Sequence, residues 1–129
     1  MNGENHAEHV RVLVVDDHDE AREALAEVVV AAGFSLVGSS ASGEEALAPF
    51  AKLDPDLVLL DVRMPGLDGP TTARLMTAVK PEIAVVFVSA SEPFPTDVGT
   101  LGAVVMRKSD LSPRTLHDAW LATRELLLR

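Results

Sequence analysis

The sequence predicts an α/β domain built on a doubly wound, five-stranded parallel sheet, and three observations carry that expectation. Short apolar runs alternate with segments of helical period, giving β-α repeated five times. The runs at residues 57–60 (LVLL) and 83–88 (IAVVFV) are apolar at every position, as strands buried on both faces are. The chain has 129 residues, long enough for one domain with a real core and far short of the roughly 250 that a closed eightfold barrel needs. Such alternation implies right-handed crossovers and helices on both faces of the sheet.

In chain order, residues 1–9 (MNGENHAEH) are polar, lack the basic-then-apolar pattern of a signal peptide, and read as a disordered tail. Its two histidines, His6 and His9, are read as bland rather than metal-binding. Residues 10–129 form the one domain. Strand one (10–15, VRVLVV) ends at Asp16 and Asp17. Helix one covers about 19–32, with Ala21, Leu25, Val28, Val29 and Ala32 on one face and Gly33 as its C-terminal cap. Strand two (35–40) is less apolar and suits a sheet edge. Helix two, about 43–52, contains Pro49, which removes a backbone hydrogen bond and is expected to kink or shorten it.

Strand three (57–60) stops abruptly at Asp61, after which Met64, Pro65, Gly66 and Gly69 interrupt regular structure. Helix three covers about 70–79, with Pro70 in its first turn. Strand four (83–88) ends at Ser89. Between Ser89 and Lys108, Pro93, Pro95, Gly99 and Gly102 leave the fourth helix short or irregular. Strand five (103–106) leads into Arg107 and Lys108. The last helix begins near Ser112, a good N-cap before Pro113, and sets Leu116, Ala119, Trp120, Thr123 and Leu127 on one side. His117 is expected on its solvent side, and Trp120 in the core or at an interface.

Composition narrows the function classes. Hydrophobic residues make up 47% of the chain and aromatics 4%, so Val, Leu and Ala are expected to fill the core. A formal net charge of −9, with no cluster of Lys and Arg, argues against nucleic acid or an anionic membrane as a direct partner of this segment. The absence of cysteine excludes a disulfide framework and thiol chemistry, and fits a cytoplasmic protein. No apolar run is long enough to span a bilayer.

A parallel sheet gathers the C-terminal ends of its strands on one edge, so Asp16, Asp17, Asp61, Ser89 and Lys108 are expected to converge there. Two carboxylates about 4 Å apart repel by roughly 4 kcal/mol at an effective dielectric of 20, which three acids relieve by holding a cation or a proton. Hard oxygen donors select a hard cation such as Mg²⁺, and Lys108 adds a point charge suited to a phosphoryl oxygen. A carboxylate nucleophile, a divalent ion, a lysine and a hydroxyl together describe phosphoryl transfer onto aspartate. His18 and Asp68 read as local, a rim residue and a turn or cap acid.

Asp16-Asp17 after strand one, DVRMPGLDG at residues 61–69, Ser89-Ala90 after strand four and Lys108 after strand five together resemble the receiver domain of two-component response regulators. The resemblance covers residues 10–127. It implies a flavodoxin-like strand order 2-1-3-4-5 and a phosphoryl group passed from a histidine kinase or phosphotransfer protein onto Asp61. It further implies Mg²⁺ held by Asp17, Asp61, the backbone carbonyl of Arg63 and, directly or through water, Asp16. Lys108 would bind the phosphoryl group, and Ser89 would hydrogen-bond to it and move inward. The run KSDLSP at residues 108–113 is similar to receivers joined to helix-turn-helix output domains.

Two features depart from the family pattern. An aromatic residue is common three positions before the lysine, where this chain has Val105, and residues 92–102 are shorter than the usual fourth crossover and are expected to be the labile element. The function so implied is a phosphorylation-controlled switch that catalyses its own aspartyl chemistry and acts through a partner or output domain. The alternative is a receiver-like interaction module that works without phosphorylation. A Mg²⁺ phosphatase with an aspartate nucleophile would need a second acid two residues on, where Arg63 stands. Leu126, Leu127 and Leu128 suggest a homodimer through the last helix.

Overall fold

The computed structural model describes residues 10–90 and 103–127. Its elements are β1 (Arg11–Val15), α1 (Asp19–Ala31), β2 (Ser35–Ser40), α2 (Gly43–Leu53), β3 (Leu57–Asp61), α3 (Gly69–Val79), β4 (Ala84–Ser89), β5 (Val104–Arg107), a 3₁₀ turn (Lys108–Asp110) and α4 (Pro113–Leu127). All neighbouring strands pair in parallel, in the order β2-β1-β3-β4-β5, so the expected topology is the observed one. The N-terminal tail, the expected fourth helix and Leu128 lie outside the described residues. No helix among the described residues is long and apolar enough to cross a membrane.

Strand period two sorts the core into two layers. Val12, Val14, Leu57, Leu59, Val86 and Val88 face α1 and α4, where Leu25, Val29, Leu116 and Ala119 meet them. Leu13, Val15, Val58, Leu60, Val85 and Phe87 face α2 and α3, where Ala46, Phe50, Ala73 and Met76 meet them. Phenylalanine contributes more than the 4% aromatic content suggested: Phe34, Phe50 and Phe87 are all buried, and Phe87 and Phe50 lead the fully buried side chains by volume. Val105, at the position where an aromatic was the family pattern, is half-buried and packs on the second layer.

Four expectations need correction. Pro49 does not shorten α2, which continues through it to Leu53. Ser42 Oγ accepts the Glu45 N–H, Asp54 closes the C-terminus in the left-handed region, and Phe50 is anchored in the core; these outweigh the missing hydrogen bond. His117 does not face solvent. It lies half-buried with Nε2 at 2.8 Å from the Ala32 carbonyl oxygen and its ring 4.7 Å from that of Phe34, tying α4 to the end of α1. Leu127, placed by periodicity on the inner side of the last helix, is 40% exposed, whereas Leu116, Ala119 and Thr123 are buried as expected. Strands four and five each run one residue later than expected, which brings Ser89 and Arg107 into the ladder as partners.

Two of the lesser expectations hold. Trp120 is half-buried against the first core layer, with the Arg124 guanidinium 5.4 Å above its ring. Ser112 caps α4, its Oγ accepting the Thr115 N–H at 3.2 Å.

Candidate functional site

The site begins with register. Along β1 and β3 the partners are Val12 with Leu57 through Val15 with Leu60, a constant offset that sets the next residues of each strand, Asp16 and Asp61, abreast. By period two, Asp16 follows Val12 and Val14, and Asp61 follows Leu57 and Leu59, so both carboxylates leave the sheet on the same face. Asp16 is fully buried and Asp61 is 4% exposed. The acidic pair is therefore built by the backbone ladder.

The turns after the strands hold these acids in place. The Asp16 N–H donates to the Ser40 carbonyl, the His18 N–H donates to Asp16 Oδ1 at 3.0 Å, and the Arg22 guanidinium donates to the Asp16 carbonyl at 2.9 Å. The Arg63 N–H points at Asp61 Oδ1 from 3.4 Å. Asp68 caps α3 by accepting the Thr71 N–H, the cap role expected of it. The chain between them turns tightly: a methyl group on Gly69 would collide with the Asp61 carbonyl oxygen and stand 2.9 Å from Val62 Cα. Gly66, at φ +75°, has Glu44 beside it, whose Oε2 accepts the Leu67 N–H.

Lys108, the first residue after β5, reaches across the edge. Its Nζ lies 2.7 Å from Asp16 Oδ2 and 3.6 Å from Asp61 Oδ2. Ser89, 3% exposed at the end of β4, joins Asp61, Arg63, Ala90 and Lys108 around an open depression of about 390 Å³, with His18 and Ala21 on the remaining wall. All six residues expected at the site, Asp16, Asp17, Asp61, Arg63, Ser89 and Lys108, thus come to the one edge. His18, read from the sequence as a rim residue, is closer than expected: its Nδ1 stands 3.2 Å from Asp17 Oδ1 and 3.6 Å from Asp16 Oδ1.

Electrostatics sets the chemistry available. Burial, reinforced by the charge of Asp16, pushes the Asp61 carboxyl up from 3.8 to about 6, against the opposing pull of Lys108 and the Arg63 N–H. Contact with Asp17 adds to the rise, since two carboxylates can hydrogen-bond only by sharing a proton. The buried Asp17 Oδ1 has no hydrogen-bond donor among the described residues, and Asp16 Oδ2 has only the ionic contact with Lys108. Ligand-capable atoms of Asp16, Asp17, His18 and Asp61 all lie within 4.8 Å of one another. A donor set of two buried carboxylates and a half-buried one, with oxygens short of hydrogen bonds, fits a hard divalent cation.

Comparison with known proteins agrees with this geometry. A family model described as the response regulator receiver domain matches residues 12–107. Response regulator GacA of Pseudomonas viridiflava is 43% identical over 97 residues, which are 73% of this chain and 45% of GacA. The positive alginate biosynthesis regulatory protein of Pseudomonas aeruginosa is 43% identical over 97 residues, 74% of this chain and 39% of that protein. The chain thus spans less than half the length of these curated relatives. Among solved structures, the signal receiver domain of a modulated diguanylate cyclase from Desulfovibrio desulfuricans G20 superposes with a TM-score of 0.78 at 27% identity, covering 92% of this chain and 96% of that one. The CheX–CheY–BeF₃–Mg²⁺ complex from Borrelia burgdorferi does so at 0.76 and 26%, covering 88% of each chain.

Proposed function

We propose that this chain, which belongs to the response regulator receiver domain family, takes a phosphoryl group from a histidine kinase or phosphotransfer protein onto Asp61 and thereby switches a partner or output interaction. The observation that carries this reading is the pair Asp16 and Asp61 standing abreast at the ends of β1 and β3, with the Lys108 ammonium between them.

Asp61 is the nucleophile. An oxygen of its carboxylate forms the new bond to phosphorus while the bond from phosphorus to the donor breaks, the donor keeping the electron pair and taking a proton from solvent. A carboxyl held at about 6 is predominantly ionised at neutral pH and is more basic than an ordinary aspartate, which suits that step. Lys108 then turns from Asp16 toward the phosphoryl oxygens, and Ser89 supplies a hydroxyl to the same depression. Asp16, Asp17, Asp61 and the Arg63 carbonyl would hold Mg²⁺, which when bound supplies the positive charge that lets an anionic phosphate approach three acids.

Intact mass measured after incubation with acetyl phosphate and Mg²⁺ tests this. One phosphoryl group should be gained per chain, and Asp61→Asn should gain none. An unchanged mass for the folded protein rejects the phosphoacceptor and leaves the interaction module that works without phosphorylation. A homodimer through α4 belongs to the same reading, supported by Leu121 and Leu127 at 62% and 40% exposure. Light scattering with and without beryllofluoride tests it, and a monomer under both conditions removes it. The net charge of −9 supports recognition through protein partners and not through direct contact with nucleic acid.

A further inference from the structure

His18 stands directly before α1, yet its side chain makes no capping hydrogen bond. What it faces is acid. Its Nδ1 lies 3.2 Å from Asp17 Oδ1 and 3.6 Å from Asp16 Oδ1. The two oxygens of Asp16 divide between neighbours: Oδ2 meets the Lys108 ammonium at 2.7 Å, while Oδ1 lies on the His18 side. A cation seated against Oδ1 of Asp16 and Oδ1 of Asp17 therefore gains an imidazole nitrogen without displacing Lys108 from its own oxygen. Asp16 is fully buried with its one cationic contact, Lys108, on Oδ2, and the buried Asp17 Oδ1 makes no hydrogen bond among the described residues, so the Oδ1 side of the pair is the side short of positive charge. The exposed His18 ring has room to close the remaining distance.

Ligand chemistry then decides which cation gains most. Mg²⁺ takes oxygen, keeps several waters and profits little from a nitrogen donor. Imidazole suits Ni²⁺, Cu²⁺ and Zn²⁺, and the affinity of a mixed nitrogen and oxygen site rises along the first-row divalent series toward Cu²⁺. We propose that His18 is a nitrogen ligand of the acidic site, which makes that site a receptor for divalent transition ions in competition with Mg²⁺. The proposal rests on the reading of Asp16, Asp17 and Asp61 as a divalent-cation site, and adds to it a residue and a metal class.

Calorimetric titration tests it, with Ni²⁺ and separately with Mg²⁺. Both are added to the full chain and to its His18→Ala variant, each also carrying His6→Ala and His9→Ala so that no tail imidazole contributes. His117 is engaged with the Ala32 carbonyl and is common to both proteins. Removing a ligand should weaken Ni²⁺ by at least about tenfold, the lower end of what losing even a supporting partner of a metal ligand costs. Mg²⁺ affinity should change by less than about twofold. In the protein that keeps His18, Ni²⁺ should shift the His18 ring protons paramagnetically. Equal Ni²⁺ affinity in the two proteins, or an unshifted His18 ring, overturns the proposal while leaving Mg²⁺ binding intact. Absence of binding by either ion overturns the cation-site reading as well. His18→Gln, with the fold checked by circular dichroism, stands in should the alanine variant fail to fold.

Discussion

The two edges of the sheet are furnished with the same side chain and treat it in opposite ways. At the edge where β3 begins, Asp54 and Asp56 are each matched. Lys80 Nζ lies 2.9 Å from Asp54 Oδ1 and donates to the Pro55 carbonyl, the Arg11 N–H donates to Asp56 Oδ2, and the Arg11 guanidinium covers the carbonyls of Leu53 and Asp54. Lys80 accordingly holds the Asp54 carboxyl below its ordinary value. Where β1 and β3 end, buried Asp16 and Asp61 share the Lys108 ammonium with half-buried Asp17 beside them, and Asp61 is pushed up. The acids at the first edge are each matched by a donor, whereas those at the second outnumber the one ammonium that reaches them, which is why the proposed function places the cation and the phosphoryl group there.

The sharpest way to break this contrast is to replace one acid at each edge. Asp61→Asn should lower phosphorylation by acetyl phosphate below detection by intact mass, whereas Asp54→Asn should leave its rate within about twofold, because the matched edge takes no part in the chemistry. Next in size is the tight turn that delivers Asp61. Gly69→Ala forces a methyl group against the Asp61 carbonyl and should cost about 2 kcal/mol in a urea titration, the usual cost of overpacking.

The pH dependence of the two edges should run in opposite senses. Folded Asp61 binds its proton more tightly than the unfolded chain does. Its contribution is therefore fully present below about 4 and is lost as pH rises through about 6 in metal-free protein. Asp54 is depressed, so its contribution is present above the ordinary value of 3.8 and is lost as pH falls through its lower folded value. Asp61→Asn should consequently stabilise the metal-free protein at pH 7 by about 1–2 kcal/mol, and the gain should shrink toward zero by pH 4. Mg²⁺ at saturation should remove the gain, because the ion favours the ionised wild-type site. The smallest effect belongs to Lys80→Ala, which should cost about 0.5–1 kcal/mol by the same titration and leave phosphorylation unchanged.

What could be read in advance follows the range of the interaction that fixes each feature. Strands one, three and five were legible because an apolar run that stops at a charge is a local signal, and strand four because its run is wholly apolar; parallel topology then carries Asp16, Asp61, Ser89 and Lys108 to one edge without further information. His117 was misplaced because its partner, the Ala32 carbonyl, lies 85 residues away and leaves no trace in the period of its own helix. Pro49 suggested a kinked or shortened helix because local rules count the lost hydrogen bond and not the anchoring of Phe50, and the shortening did not follow. His18 was read as a rim residue, and it does line the depression, but one signal went unused: an imidazole directly after two acids in a strand-to-helix turn. Its proximity to both became visible only when the turn was seen to fold back on Asp16.

The shared register of β1 and β3 has one more consequence. Neighbouring strands repeat at about 4.8 Å whatever side chains they carry, so the spacing between Asp16 and Asp61 is inherited from the peptide backbone. The ladder serves as a ruler whose graduations no single substitution on a helix can move. Surfaces on α1 to α4 are free to diverge toward new partners while the two carboxylates stay a fixed distance apart.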